Sequence, residues 1–131
     1  MAEKTGRERR LKPRYNTTLP CSLALPRDER DILFPREEME CRTRDLSESG
    51  VGLHVTSIYL GYACVLDEGR TLELSIELPA ATVRMTGTTA HYLRTGGGEE
   101  GSYVVGLRIL SMSERDRAAY LSYLEALASA P

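Results

Sequence analysis

The sequence contains few of the residues from which metal, redox and membrane sites are built. Its 131 residues include three cysteines, two histidines and no tryptophan. Cys21, Cys41 and Cys64 are widely spaced, so we interpret them as buried small hydrophobic residues rather than as disulfides or zinc ligands. No apolar run approaches the length of a bilayer span, and residues 1–11 are charged where a secretory signal would be hydrophobic. We therefore expect a cytoplasmic protein without a metal ion, a cofactor or a membrane segment.

Catalytic patterns are missing as well. The sequence has no HExxH, GxSxG or Walker-type motif, and no pair of carboxylates stands out from the surface charge. Ser47 has no histidine within its motif, which favours a hydrogen bond at a turn over a nucleophilic role. We expect the protein not to be an enzyme.

Length and composition fit one domain with a modest core, since 41% of the residues are hydrophobic. The net charge of −2 is unevenly distributed, because basic residues dominate the first fourteen positions. These basic residues are Lys4, Arg7, Arg9, Arg10, Lys12 and Arg14, against Glu3 and Glu8. Residues 1–16 also lack apolar periodicity, which predicts a flexible basic arm before a folded domain of residues 17–131.

Alternating apolar residues predict six strands joined as consecutive antiparallel hairpins. The predicted strands cover residues 17–25, 38–46, 50–55, 70–78, 82–94 and 103–109. Residues 26–35 and 95–101 are predicted loops, and Gly87 is predicted to be a bulge or bend. Residues 56–69 fit either a short strand or one helical turn.

The last segment predicts a helix over residues 113–128, with Ser113 as its N-cap. The helix has one apolar face, formed by Tyr120, Leu121, Leu124, Leu127 and Ala128. This face predicts that the helix docks on the sheet or on a partner. The sequence does not decide whether the protein forms a homo-oligomer through it. The predicted fold is mainly β, a six-stranded antiparallel β-barrel with a C-terminal α-helix.

Two short motifs carry most of the functional information. Arg10 and Arg14 form an RxxxR motif in the arm, and guanidinium groups bind phosphate bidentately and stack on flat rings. Residues 45–50 form a DxSxxG motif at a predicted turn, where Asp45 can accept the paired N–H donors on the edge of a guanine. Gly50 fits a backbone that needs a positive φ or that a ligand approaches closely. Together the motifs suit an anionic, planar ligand.

RxxxR followed by DxSxxG gives the chain its resemblance to the PilZ domain family. In that family the motifs bind cyclic di-GMP, often as an intercalated dimer, on the outside of a small antiparallel β-barrel of the split-barrel type. The resemblance implies that Arg10 and Arg14 clamp phosphates and stack on guanine, and that Asp45 reads a guanine edge. It also implies that Ser47 and Gly50 hold the turn and contact the ligand.

The function implied by the resemblance is that of a single-domain receptor or adaptor for cyclic di-GMP. Ligand would order the arm across the barrel and change the interaction with a downstream protein that the sequence does not identify. Arg9 adds a third guanidinium, and in the family a basic residue there tends to accompany binding of a ligand dimer.

Two alternatives remain open. A degenerate PilZ-like module would act only in protein–protein interaction. A small nucleic-acid-binding barrel would use the basic arm, but the aromatic content of 6% disfavours it because single-strand binders stack bases on aromatic side chains.

Overall fold

A computed structural model describes residues 13–27, 37–95 and 102–130. Most of the predicted basic arm, residues 28–36 of the first charged segment and residues 96–101 of the glycine-rich loop lie outside these ranges. The strands are β1 (Tyr15–Asn16), β2 (Pro20–Ala24), β3 (Glu38–Leu46), β4 (Gly50–Val55), β5 (Tyr59–Leu60), β6 (Ala63–Cys64), β7 (Thr71–Glu77), β8 (Thr82–Arg94) and β9 (Tyr103–Ser111). A helix, α1, covers Glu114–Ser129.

Six of these strands close into an antiparallel barrel. The order across the main sheet is β1-β3-β2-β7-β8-β9-β4, and an additional pairing of β3 with β4 joins its ends. The closed ring therefore consists of β3, β2, β7, β8, β9 and β4, which confirms the six predicted strands. The prediction that all of them pair as consecutive hairpins is wrong at one connection, because β4 pairs with β9 and β7 pairs with β2. The short strand β1 pairs with the end of β3 outside this ring.

The barrel core is formed by the apolar residues that alternate with polar ones in the sequence. In β7, Leu72, Leu74 and Ile76 are 0–1% exposed, whereas the residues between them are half-buried. Leu23 of β2 and Val83 of β8 face the same interior and have no exposed surface. Each such side chain contributes about 1.5–3 kcal/mol when it leaves water, so the period of two fixes which face of each strand turns inward.

A second, two-stranded sheet lies in residues 56–69, for which the sequence fitted either a short strand or one helical turn. Strands β5 and β6 pair as a hairpin, with Leu60 opposite Ala63. Gly61 occupies the left-handed region at φ 62°, which explains a glycine in so tight a connection. Leu60 and Ala63 are buried, whereas Tyr62 is exposed at the tip.

The register between β8 and β9 shifts at Gly87, but the extra residue belongs to β9. Thr86 pairs with Ser111 and Gly87 with Ile109, so the unpaired residue is Leu110, and the bulge predicted at Gly87 lies in the partner strand. A Cβ at position 87 would lie 3.1 Å from the Arg108 backbone oxygen. Glycine is therefore suited both to the irregular backbone and to the close neighbouring strand.

Helix α1 begins and docks largely as predicted. Ser113 is its N-cap, and Ser113 Oγ accepts a hydrogen bond from the Asp116 N–H at 3.1 Å. Tyr120 and Leu124 are buried against the barrel, where the helix contacts β8 and β1. Ala128, predicted to share the docked face, is exposed, whereas Leu127 of the same turn is partly buried against the core.

The interpretation of all three cysteines as buried residues is wrong for two of them. Cys21 is 6% exposed and belongs to the core, but Cys41 and Cys64 are partly exposed at its margin. All three are free thiols.

Candidate functional site

The turn between β3 and β4 is held closed by its own hydrogen bonds. The Ser47 N–H donates to the Gly50 carbonyl at 2.9 Å, and the Gly50 N–H donates to Ser47 Oγ at 3.1 Å. Ser47 is 4% exposed, so its hydroxyl serves the turn. A serine that accepts from the backbone in this way replaces part of the hydrogen bonding of a regular turn. Residues 45–50 are called the acidic corner from here on.

Gly50 is required by the neighbouring strand rather than by its own backbone angle. Its φ does not lie in the left-handed region, unlike those of Gly61 and Gly69. A Cβ at position 50 would lie 2.8 Å from the backbone oxygen of Leu107 in β9, a strand that pairs with β4. The positive φ considered from the sequence is therefore wrong, and the close neighbour found here is the protein's own backbone.

One buried hydrogen bond ties the acidic corner to helix α1. The Tyr120 hydroxyl donates to the Ser47 carbonyl at 2.7 Å, and Tyr120 has no exposed surface. Burial raises the pKa of this hydroxyl, and the negative charge of Asp45 raises it further. The tyrosine therefore stays protonated and continues to donate.

An irregularity in β3 turns Asp45 toward the outer face of the barrel. Thr43 pairs with Leu53, and both are fully buried; the register then shifts, so that Asp45 pairs with Gly52. The extra residue is Arg44, which makes this a β-bulge. Bulges re-aim the side chains that follow them. Without this one, Asp45 would share the inward face with Thr43.

Five strands place a row of residues side by side on the outer face. Across β1, β3, β4, β9 and β8, the paired positions are Asn16, Asp45, Gly52, Gly106 and His91. A Cβ on Gly52 would lie 2.7 Å from Asp45 Oδ1, and a Cβ on Gly106 would overlap the ring of His91. The Asp45 carboxylate therefore lies over one glycine and the His91 imidazole over the other. We call these five residues the outer row.

The outer row offers two kinds of contact to a flat, polar ligand. The carboxylate of Asp45 is an acceptor for paired N–H donors, although the residue is 8% exposed. The imidazole of His91 is exposed and has a flat face on which a base can stack. Because Gly52 and Gly106 are adjacent across β4 and β9, the two groups converge on one area of the surface.

Cationic side chains flank this area on both sides. Arg14 is exposed and directly precedes β1, two residues before Asn16, which lies opposite Asp45. Arg108 is exposed on β9 and pairs with Gly50 of the acidic corner. Arginine at both positions places positive charge beside the carboxylate, where phosphate groups of a nucleotide can bind.

Residues 13–19, called the lead-in segment, are anchored on β3 by backbone hydrogen bonds and by the side chain of one threonine. Thr43 Oγ1 donates to the Thr17 carbonyl at 2.6 Å and accepts from the Leu19 N–H at 2.9 Å. Thr43 has no exposed surface. The Thr17 hydroxyl also lies 3.3 Å from the Tyr123 hydroxyl of α1. These bonds fix the path by which the chain passes the acidic corner.

The structure thus brings together four of the six residues predicted from the sequence. Asp45, Ser47 and Gly50 form the acidic corner, and Arg14 lies beside it. Arg9 and Arg10 lie outside the described residues, so their predicted roles stay predictions.

Sequence reasoning missed Gly52, Gly106, His91 and Arg108. A glycine inside a strand pattern is a recognised sign of close approach to a neighbouring group, and this signal was available for Gly52 and Gly106. His91 and Arg108 gave no such sign, because their proximity to the motif depends on the pairing of β4, β9 and β8.

The described residues show neither a metal cluster nor a membrane-spanning helix. Within residues 13–27, 37–95 and 102–130, no cluster of three or more histidine, cysteine or acidic residues could hold a metal ion. Over the same ranges, no helix combines the length and the apolar character needed to cross a bilayer.

Comparison with known proteins identifies the family of this chain. The family model of the PilZ domain matches residues 8–126, which cover both motifs, all six barrel strands and most of α1. The chain belongs to the PilZ domain family. PilZ proteins act as receptors or adaptors rather than as enzymes.

Solved structures share the fold. The PilZ domain of YcgR from Escherichia coli, with cyclic di-GMP, matches at TM-score 0.65 and 16% identity, covering 92% of each chain. The Klebsiella pneumoniae MrkH–cyclic di-GMP complex matches at TM-score 0.66 and 14% identity, covering 91% of this chain and 52% of that one. Bacillus subtilis MotI, an inhibitor of motility, matches at TM-score 0.64 and 17% identity, covering 93% and 53%.

The chain spans about half the length of MotI and MrkH, and nearly all of the YcgR domain. A comparison with curated proteins gave no match.

Proposed function

We propose that this protein is a cytoplasmic receptor for cyclic di-GMP that binds the nucleotide on the outer row beside the acidic corner. The observation that carries the proposal is the convergence of the Asp45 carboxylate and the His91 ring over paired glycines, with Arg14 adjacent. Membership in the PilZ family and the cyclic di-GMP found with YcgR and MrkH support the choice of ligand.

Each part of the ligand has a matching group. Asp45 accepts the N1–H and N2–H donors of one guanine, and His91 stacks on a purine face. Arg14 and Arg108 bind phosphate oxygens from the two sides of the corner. The basic residues before the lead-in segment, among them Arg9 and Arg10, would add further phosphate contacts and would favour a ligand dimer.

Ligand binding would order the arm over the barrel. Arg14 is attached to the barrel through β1, which contains two residues and lies outside the barrel ring. Segments ordered by a ligand create a surface that is absent without it. The proposed output is a change in which protein binds this new surface of arm, nucleotide and barrel wall.

Calorimetric titration with cyclic di-GMP tests the proposal, with GTP and cyclic di-AMP as competing nucleotides. Replacing Arg14 by alanine removes charged hydrogen bonds of about 1.5–3 kcal/mol each, so the affinity should fall about ten-fold to more than a hundred-fold. Asp45→Asn keeps the side-chain size but replaces one acceptor oxygen by a donor, and a similar loss is expected.

Arg117→Ala is the matched control, because Arg117 is an exposed arginine of α1 away from the outer row. Its affinity should equal that of the wild type. Wild-type protein that does not bind cyclic di-GMP, or Arg14→Ala and Asp45→Asn variants that bind it normally, would contradict the proposal. The first outcome would instead favour a module that acts only through protein contacts.

A glycine variant tests the geometry of the outer row separately from its charges. In Gly52→Ala the new Cβ displaces the Asp45 carboxylate, which is the end of a side chain and can move. We expect unfolding free energy to change by less than about 1 kcal/mol, whereas affinity falls about ten-fold or more. If Gly52→Ala and the wild type bound cyclic di-GMP with equal affinity, the outer row would not be part of the binding site.

A further inference from the structure

Two of the free thiols lie against each other between β2 and β3, at the margin of the core. Cys21 of β2 and Cys41 of β3 are directly paired across the two antiparallel strands. Their Sγ atoms are 3.0 Å apart, and both residues are free cysteines. Neither residue belongs to the acidic corner or the outer row.

The backbone geometry permits a covalent bond between them. Directly opposed residues of an antiparallel pair have Cα atoms about 4.5–5.5 Å apart, within the range of about 4.4–6.8 Å that disulfides adopt. Their Cβ atoms are typically about 4.5–5.5 Å apart, slightly wider than most disulfides prefer. A bond at this position can therefore form with a small side-chain movement, and it should be more easily reduced than an unstrained structural disulfide.

The surroundings also allow a small oxidant to reach the pair. Cys41 is partly exposed, whereas Cys21 is 6% exposed. A small, neutral hydroperoxide can reach the Cys41 sulfur more readily than a bulky disulfide such as glutathione disulfide.

We propose that Cys21 and Cys41 form a reversible intramolecular disulfide when the protein meets a hydroperoxide. The partly exposed Cys41 thiolate attacks the peroxide oxygen, which gives a Cys41 sulfenic acid and releases water or an alcohol after protonation. The Cys21 sulfur then attacks Cys41 Sγ, forming the disulfide as the sulfenic oxygen leaves as water. In total, two thiols are oxidised and one peroxide is reduced.

The roles of the two cysteines differ. The hydrogen bond to Cys41 and burial in the core raise the pKa of the Cys21 thiol, so Cys21 keeps its proton until the second step. Cys41 is the more exposed of the two and meets the oxidant first. Cys64 lies on β6, in the separate hairpin, and takes no part.

Peptide mapping after treatment with hydrogen peroxide tests this proposal on the wild-type protein. Trypsin releases Cys21 within residues 15–27, Cys41 within residues 37–42 and Cys64 within residues 45–70. We expect the first two peptides to be joined, the protein to lose two hydrogen atoms in mass, dithiothreitol to reverse the change, and Cys64 to remain open to alkylation. The bond closes a loop from residue 21 to residue 41, so the melting temperature should rise by about 5–10 °C.

Two variants sharpen the result. Cys64→Ala should still form the linked peptide, whereas Cys41→Ala should leave Cys21 as a free thiol. The proposal is overturned if wild-type Cys41 is oxidised to sulfinic or sulfonic acid while Cys21 stays reduced. A disulfide that joins two chains or includes Cys64 would overturn it as well. Because mapping of the wild type decides the question, a variant that fails to fold does not affect the test.

Discussion

The acidic corner and the lead-in segment lie side by side on β3, but they are held in different ways. The corner is closed by its own hydrogen bonds, packed against β9 at Gly50 and tied to α1 by Tyr120. The lead-in segment is held by the Thr43 side chain, by one short strand with a few further backbone bonds, and by the contact of Thr17 with Tyr123, and its arginine is exposed. The corner therefore supplies a fixed shape, and the lead-in segment supplies charge. The proposed receptor, whose ligand would order part of the chain, needs both properties.

Breaking the anchor of the lead-in segment should have the largest effect on stability. Thr43→Val keeps the shape of the side chain but leaves the Thr17 carbonyl and the Leu19 N–H without their hydroxyl partner. We expect a loss of about 3 kcal/mol in the unfolding free energy, because each unpaired group costs about 1–3 kcal/mol. Urea denaturation measures the loss, and Thr43→Ser, which retains the hydroxyl, should recover most of it. A valine variant as stable as the wild type would show that the segment is held by other contacts.

Crowding the acidic corner at its contact with β9 should lower the unfolding free energy somewhat less than loss of the Thr43 hydroxyl does. In Gly50→Ala the new methyl group meets the Leu107 backbone oxygen, and a backbone moves less readily than a side-chain end. The expected destabilisation is about 2 kcal/mol in the same urea experiment, within the range seen for overpacked sites. Ser49→Ala, in the exposed part of the same turn, is the control and should stay within about 0.5 kcal/mol of the wild type.

Removing the bond between α1 and the corner should have the smallest effect at neutral pH. Tyr120→Phe leaves the buried Ser47 carbonyl without its donor, which should cost about 1–2 kcal/mol. Thermal and urea unfolding at pH 7 measure this difference.

The same variant predicts a difference in pH dependence. The pKa of Tyr120 is raised in the folded state, so the protonated hydroxyl stabilises the fold fully below the unfolded pKa of about 10. This contribution is lost as the pH rises above about 10, at up to about 1.4 kcal/mol per pH unit. Tyr120→Phe lacks the ionisable group, so it should lose less stability between pH 10 and 11.5. Parallel losses in the two proteins would contradict the assignment.

Sequence patterns were sufficient for the strands of the barrel because burial on one face imposes a period of two. The alternation of Leu72, Leu74 and Ile76 required no knowledge of their neighbours, and Ser113 marked the start of α1 through its own chemistry. The hairpin of β5 and β6 was harder to predict, because strands of two residues are too short to show any period.

The candidate site was only half predictable. Asp45, Ser47 and Gly50 form one continuous motif, so their proximity follows from the chain itself. The bulge at Arg44 interrupts an alternation that would have turned Asp45 inward. No residue near Arg44 in the sequence predicts this bulge. Gly52, Gly106 and His91 meet Asp45 because three further strands pair in a particular register, and that register depends on the closed barrel.

The Tyr120 hydroxyl has a thermodynamic consequence for any protein that docks on α1. If docking shifts the helix, the Ser47 carbonyl loses its donor, and the free energy of the proposed nucleotide complex changes with it. Linkage is reciprocal, so the nucleotide must then alter the affinity for that docked protein by the same factor. A single phenolic proton would in this way couple two binding equilibria, one at α1 and the other at the outer row.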